Sequence, residues 1–307
     1  MNDNIEIKEN KVKKETDIYE QSITRKYRQK LWSKFVAAIK HYDLIKENDH
    51  ICCCISGGKD SMLMARLFMQ LEKYSDFPFK VTYLVMNPGY NEINLQVIKN
   101  NLKILGIPAI IENTDIFEIA NSQTKSPCFL CAKMRRGALY NLAQKYGCNK
   151  IALGHHYDDV IETTLMNLLN SGSFQTMLPK LKSTNYGMME LIRPMYFIRE
   201  KDIISWKNYH NLEFIQCACR FTENCAVCDN GGGGSQRLAT KYLIKQLQKD
   251  YNDQVEKNIF KAAENVTLDM IVGYKYKGKH YSYLDDYYKK EEDKDITKII
   301  NEDFKNE

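Results

Sequence analysis

Ile51-Cys52-Cys53-Cys54-Ile55-Ser56-Gly57-Gly58-Lys59-Asp60-Ser61 decides the fold. The first five residues form a short apolar run, as in a strand buried on both faces. Two glycines then break it, and a helical pattern follows through Met62, Ala65, Leu67 and Leu71. Working outward, the same alternation recurs. Val81–Met86, Ala109–Ile111 and Ile151–Gly154 read as strands, and Phe214-Ile215 as a fifth. Helical patterns at Glu92–Leu105 and Met134–Tyr146 separate them. Strands alternating with helices predict an α/β fold, a doubly wound parallel sheet. In such sheets ligands sit beyond the carboxyl ends of the strands. The turns after Ile55, Met86, Ile111 and Gly154 are therefore the places to look for chemistry.

Composition is that of an ordinary globular chain: 307 residues, 44% hydrophobic and 27% charged. Lys and Arg number 44 against 39 acids, a net charge of +5 that is compatible with a nucleic-acid partner. No apolar run is long enough to span a membrane, and the N-terminus lacks a signal-peptide core, so a cytoplasmic location is expected. Residues 1 to about 22 are polar and expected to be loose. Thr24–Tyr42 reads as one amphipathic helix, with Leu31, Phe35, Ala38 and Tyr42 at helical spacing. It carries Arg25, Lys26, Arg28, Lys30, Lys34 and Lys40 with no acid among them. That stripe is either a solvated face or a set of phosphate contacts. The expected division is a basic helical extension (1–48), a nucleotide-binding domain (49–216), a Cys-containing loop with a C-terminal helical region (217–287), and a charged, partly disordered tail (288–307). Within the third part, Gln236–Lys249 and Val255–Glu264 read as helices.

Ser56–Ser61 joins a buried strand to a helix. Its glycines let backbone N–H groups approach an anion, and the helix N-terminus adds partial positive charge. Ser56 and Ser61 can bond phosphate oxygens, and Lys59 can neutralise them. The G-x-x-x-x-G-K-[ST] pattern of a Walker loop is absent. Gly154-His155-His156-Tyr157-Asp158-Asp159 lies at another strand end, before a helix with an expected core face of Ile161, Leu165, Leu168 and Leu169. Gly154 can let a ribose or base lie against backbone. The aspartates can hold sugar hydroxyls or hydrated Mg²⁺, or can cap the helix. The two histidines fit core positions better than metal ligation.

Ten cysteines in a cytoplasmic chain point to metal ligands and buried apolar positions more than disulfides. Cys52, Cys53, Cys54 and Cys148 suit the core. Cys128-Phe129-Leu130-Cys131 and Cys225-Ala226-Val227-Cys228 are C-x-x-C pairs, with Cys217 and Cys219 nearby. Two such pairs can close a zinc site. The 93 residues between them (132–224) far exceed the roughly 15–20 of a zinc ribbon, so any shared site must be tertiary. Lys133, Arg135 and Arg136 beside the first pair favour thiolates.

Ser56–Ser61 resembles the PP-loop, S-G-G-x-D-S, of the N-type ATP pyrophosphatases (a HUP-like fold), and Gly154–Asp159 their G-H-x-x-D-D motif. The stretches Pro127–Gly137, Lys150–Asp159, Pro179–Leu181 and Ile192–Pro194 are similar to the TtcA family of tRNA 2-thiocytidine synthetases, over roughly residues 25 to 271. The resemblance implies cleavage of ATP to AMP and pyrophosphate, adenylation at C2 of cytidine 32, and sulfur transfer. It implies that Ser56, Gly57, Gly58, Lys59, Asp60, Ser61, Met86, Gly154, His155 and Asp159 bind MgATP. Lys59, Asp60, Arg135 and Asp159 would be catalytic. A [4Fe–4S] cluster would be held by Cys128, Cys131 and a later cysteine, with the fourth iron open. The late pattern departs from the family's C-x-x-C-G-S-Q: here four glycines precede Ser235-Gln236. Cys225 is taken as the third ligand, with Cys217 and Cys228 as rivals. Implied partners are tRNA and a sulfur donor, a cysteine desulfurase or free sulfide; a homodimer is open. Two alternatives remain at this stage. One is a related 2-thiouridine synthetase, although no C-x-x-C pair occurs in 1–50 or after 228. The other is a non-enzymatic zinc- or cluster-binding RNA module.

Overall fold

The computed structural model describes residues 18–122, 127–215, 236–285 and 287. The chain divides into two compact units, Met1–Phe260 and Lys261–Glu307. The first contains, in order, α1 (Ser33–His41), β1 (His50–Ile55), α2 (Lys59–Tyr74), β2 (Lys80–Asn87), α3 (Glu92–Ile104), β3 (Ile110–Asn113), α4 (Ile116–Asn121), α5 (Pro127–Lys145), β4 (Lys150–Ala152), α6 (Tyr157–Ser171), β5 (Lys180–Lys182), β6 (Glu190–Ile192), α7 (Glu200–Tyr209) and α8 (Gln236–Asp250). Helix α9 (Val255–Ala262) ends it. The second unit carries a hairpin, β7 (Gly273–Tyr276) and β8 (Lys279–Ser282).

The six strands are ordered β3-β2-β1-β4-β6-β5. All pairings are parallel except β5 against β6. β1 is central, so Ile51–Ile55 is buried throughout, as its apolar run requires. Cys52, Cys53, Cys54 and Cys148 are all buried, and burial pushes the Cys53 thiol well up, as expected of core thiols. The sheet core is built from Met62, Leu63, Leu67, Phe68, Val85 and Ile98 against β1.

Three local expectations change. Thr24–Tyr42 is not one α-helix: wide turns at Ser22–Lys26 and Arg28–Trp32 precede α1. Ile23, Tyr27, Leu31 and Phe35 are all buried at a spacing of four, which drifts around a 3.6-residue helix. Five-residue hydrogen bonds, such as Tyr27 N to Ser22 O at 2.8 Å, keep them on one face. Phe214-Ile215 is not a strand. The outer strands are instead the short β5 and β6, and Ile215 packs on the glycine loop. Leu168 and Leu169 lie exposed on α6, at 49% and 56%, so its core face is Val160, Ile161 and Leu165.

The second unit holds a hairpin where only helical structure was expected. The boundary at 216/217 and the tail 288–307 lie outside the described residues. No helix among the described residues is long and apolar enough to cross a membrane.

Candidate active site

The loop after β1 is built around Gly57, whose φ is +87°. A Cβ there would sit 2.6 Å from Ile98 Cγ1 and 2.7 Å from Ile215 Cδ1, so only glycine fits. Ser61 closes the loop: its Oγ accepts from Ser56 N at 3.1 Å and donates to Gly58 O at 3.0 Å. The first turn of α2 thus presents its N-terminal N–H groups at the carboxyl end of the central strand.

The second motif packs directly on the first. A Cβ on Gly154 would lie 3.2 Å from Ser61 N and 3.3 Å from Asp60 C. The glycine therefore brings the two loops together. His156 and Asp159 form a capping box on α6: Asp159 Oδ2 accepts from His156 N at 2.9 Å, and His156 Nδ1 from Asp159 N. Capping leaves Asp159 on the wall of a cavity.

That cavity, of about 350 Å³, is lined by Ser56, Asp60, Ser61, Met86, Gly154, His155, Asp159 and Arg135, together with Cys54, Ile55, Tyr90, Leu139 and Leu153. Residues read from four separate stretches of sequence meet there. Gly57, Gly58 and Lys59 are not on its wall. Lys59 Nζ instead pairs with Asp60 Oδ2 at 3.2 Å and Glu200 Oε1 at 3.1 Å. Burial works against the Lys59 charge, but Asp60 and Glu200 outweigh it and raise its pKa. Glu200, at the start of α7, also bonds Lys241 of α8. Burial opposes its ionisation, yet Lys241 and Lys59 bring it down to about 2. Asp60 Oδ1 is buried with no hydrogen-bond partner, His156 Nε2 standing 3.7 Å from it. An oxygen in that state has its lone pairs available for a cation, and it fits Mg²⁺ shared with phosphate and water oxygens.

Burial and the neighbouring Arg193 lower the His155 pKa to about 4. Arg193 Nε donates to His155 Nδ1 at 3.4 Å, which places the ring proton of the neutral form on Nε2. Among the described residues no group of three or more His, Cys, Asp and Glu is placed to hold a metal ion. A second cavity of about 660 Å³ shares Arg135, Leu139, Leu153 and His155 with the first and continues past Arg136 and Arg193.

Cys131 is buried in the second turn of α5, and Arg135 follows one turn later on the cavity wall. Burial raises the Tyr90 pKa, and Arg135 and Cys131 act on it with opposite sign, so all three are neighbours. Cys128 opens the same helix one turn earlier. Cys217, Cys225 and Cys228 lie outside the described residues. The described residues on either side of the segment that bears them lie beside the site: Ile215 against Gly57, and Arg237 Nη1 on Asp159 Oδ1 at 2.6 Å. Thiolates are the donors an iron–sulfur cluster takes, and Cys131 lies one helical turn from Arg135 on the cavity wall.

Tyr90, Glu200, Arg193 and Arg237 were missed by the sequence reading. Tyr90 lies in the turn after β2, one of the informative strand ends, and its hydroxyl donates to Ser56 O at 3.3 Å. Arg193 lies within Ile192–Pro194, a stretch similar to the family, but that similarity gave it no role; nothing in the local sequence marks Glu200 or Arg237. The basic stripe of residues 25–40 is exposed but not part of the cavity. Within it Lys30 pairs with Asp202 at 3.6 Å, and Lys26 lies 3.5 Å over the Tyr209 ring.

Comparison with known proteins agrees with this geometry. A PP-loop domain matches residues 22–220. The tRNA-cytidine(32) 2-sulfurtransferase of Geotalea uraniireducens is 37% identical over 232 residues, which is 75% of this chain and 88% of that protein. The enzyme of the same name from Photobacterium profundum is 34% identical over 251 residues, 79% of this chain and 78% of its own. In structure, the U34-tRNA thiolase NcsA from Methanococcus maripaludis, solved with its [4Fe–4S] cluster, superposes with a TM-score of 0.57 at 21% identity, over 76% of each chain. With the glycine loop, the capping-box motif and Arg135 on one cavity, the chain belongs to the PP-loop family of tRNA-cytidine(32) 2-sulfurtransferases.

Proposed function

We propose that this protein is an ATP-dependent cytoplasmic sulfurtransferase that replaces O2 of cytidine 32 in tRNA by sulfur. One observation carries the reading: Ser56, Asp60, Asp159 and Arg135 line a single cavity, with Cys131 one helical turn behind Arg135. ATP enters with its phosphates against the N–H groups at the start of α2. Cytidine O2 attacks the α-phosphate and pyrophosphate leaves. Lys59 releases Glu200 to meet the developing phosphate charge, and Lys241 keeps Glu200 neutralised. Asp60 Oδ1 is the oxygen that would hold Mg²⁺, which supplies charge screening for the departing pyrophosphate. Arg135 stands where it can pair with the α-phosphate and orient the base. His155 stays neutral and offers Nε2–H as a fixed donor, while its neighbour Arg193 anchors the ring.

In the second half-reaction sulfur bonds to C2 and AMP leaves with the former O2. Cys128, Cys131 and Cys225 would hold a [4Fe–4S] cluster, whose open iron supplies a sulfide site when bound. Cys217 and Cys228 are the rival third ligands, and Cys217 gains weight because Ile215 rests on the glycine loop. The sulfur comes from a cysteine desulfurase or free sulfide. Thiolation requires the base to leave its stack, which an anticodon-loop position allows.

The test is anaerobic incubation with MgATP, sulfide and tRNA, followed by mass spectrometry of the digested nucleosides and a pyrophosphate assay. The expected product is 2-thiocytidine at position 32 with one pyrophosphate per thiolation. Thiolation of a uridine alone, or pyrophosphate release without tRNA dependence, overturns the reading.

A further inference from the structure

The hairpin of the second unit lies beyond the PP-loop domain match, which ends at residue 220. Lys277 (φ +48°) and Gly278 (φ +79°) form its two-residue turn, both left-handed as a type I′ turn demands. Register puts Tyr274 opposite Tyr281 and Tyr276 opposite Lys279, so these four share one face. Tyr274 and Tyr281 stack with centroids 5.0 Å apart and planes within 9°. Tyr276 is 57% exposed beside them, and Lys277 Nζ lies 5.1 Å from its ring centroid. Lys275 and His280 share the other face. Between Asp269 and Asp285 the chain carries Lys275, Lys277 and Lys279 and no acid. Asp285 is engaged, accepting from Ser282 N at 2.9 Å.

A two-stranded ribbon has little stability of its own, and soluble proteins rarely expose tyrosines in a row without a use for them. Flat aromatic rings interleaved with lysines are the chemistry of a single-stranded nucleic-acid platform: rings stack on bases and ammonium groups meet phosphates. The charge is of one sign, which favours a polyanion over a protein partner. We propose that the β7–β8 hairpin docks an unpaired segment of the tRNA, stacking bases on Tyr276 and the Tyr274–Tyr281 pair with Lys277 and Lys279 on the flanking phosphates. This rests on the reading that tRNA is the substrate. It assigns a docking surface in a unit distinct from the one that carries the ATP cavity.

The experiment measures binding of the full chain to unmodified tRNA by fluorescence anisotropy across a range of KCl concentrations. Tyr276→Ala, an exposed position whose loss leaves the strand pairing intact, should weaken binding about tenfold, and Tyr276→Trp should restore it. The double variant Lys277→Gln, Lys279→Gln should lower the slope of log affinity against log salt by about 1.4. Wild-type affinity and slope in both variants would overturn the inference while leaving the functional reading in place. The same result with an altered oligomeric state would make the face a protein interface and also overturn it. Failure of the wild-type chain to bind tRNA would remove the functional reading and this inference together.

Discussion

Replacing Asp60 by alanine should abolish tRNA-dependent pyrophosphate release while leaving the fold at least as stable. The carboxylate has one oxygen on Lys59 and one buried without a hydrogen-bond partner. An unsatisfied buried oxygen costs about 1–3 kcal/mol, and alanine removes that cost. Against it stand the lost ion pair with Lys59, about 0–1 kcal/mol for a pair this accessible, and the lost charge in the first turn of α2, about 0.3–1 kcal/mol. Lys59 keeps Glu200, so no buried cation is stranded. The better helix propensity of alanine adds roughly 0.5 kcal/mol. The net is a gain on the order of 1 kcal/mol, a rise of about 2–4 °C in Tm for a unit of this size. Thermal unfolding followed with and without MgATP gives the second half of the test. MgATP should raise Tm for the wild type and barely move it for the variant. A loss of more than about 1 kcal/mol would mean that Asp60 is structural. Wild-type pyrophosphate release would mean that the oxygen has no cation to hold. Either result refutes the argument.

Arg135→Ala should retain iron, read by absorbance and iron assay, and lose 2-thiocytidine formation; joint loss of both would make the residue structural. Gly57→Ala should destabilise by at least about 1–2 kcal/mol from its positive φ alone, before the contact with Ile98 at 2.6 Å is counted, and denaturant midpoints will read it. His155, depressed from its ordinary value of 6.5 to about 4, binds fewer protons in the native than in the unfolded chain between those values. Its contribution is therefore complete above pH 6.5 and is lost as pH falls toward 4, on the order of 3 kcal/mol, so His155→Gln should flatten urea-derived stability against pH across that window. Single alanine replacements of Cys128, Cys131, Cys217, Cys225 and Cys228 should show Cys128, Cys131 and Cys225 as indispensable for iron and thiolation; loss at Cys217 with survival at Cys225 would reassign the third ligand.

The legible parts of the molecule were those whose physics is local. A fully buried central strand must be apolar, so Ile51–Ile55 announces itself, and the turn after it needs a residue free to take positive φ, which Gly57 supplies. The short outer strands gave no such signal. β5 reads Lys-Leu-Lys and β6 begins with Glu190, because an edge pair only three residues long is decided by its neighbours. Phe214-Ile215 misled for the complementary reason: its apolar side chains are spent on the glycine loop and α3 rather than on a sheet. The same limit applies to the site. Ser56–Ser61 and Gly154–Asp159 are contiguous motifs, whereas Glu200 and Arg237 reach the site from elements whose own sequence carries no trace of the contact, and Arg193 sits in a family-like stretch that assigns it no role.

Those long-range charges explain how one cavity can serve chemistry drawn from distant segments. Asp158 accepts from Glu200 N at 2.7 Å and pairs with Arg199 at 3.0 Å, fixing the start of α7 to the start of α6. Glu200 then reaches Lys59 on one side and Lys241 on the other, and Arg237 reaches Asp159 and Glu162. The start of α8 is thereby tied to both nucleotide motifs. Arg237 follows the cysteine-bearing stretch 216–235 in sequence and binds Asp159 on the cavity wall, so a link between that stretch and the cavity is the expectation to test. Arg237→Ala should therefore do more than loosen a surface pair. It leaves Glu162 buried with only Lys241 at 4.0 Å, and burial already raises the Glu162 pKa. A stability loss of about 1–3 kcal/mol is expected, along with weaker retention of iron on dilution. Arg237→Lys keeps the charge but not the forked geometry, and should recover stability better than iron retention. Recovery of both to the same degree would show that Arg237 acts only as a charge, with no role in holding the cysteine segment against the site.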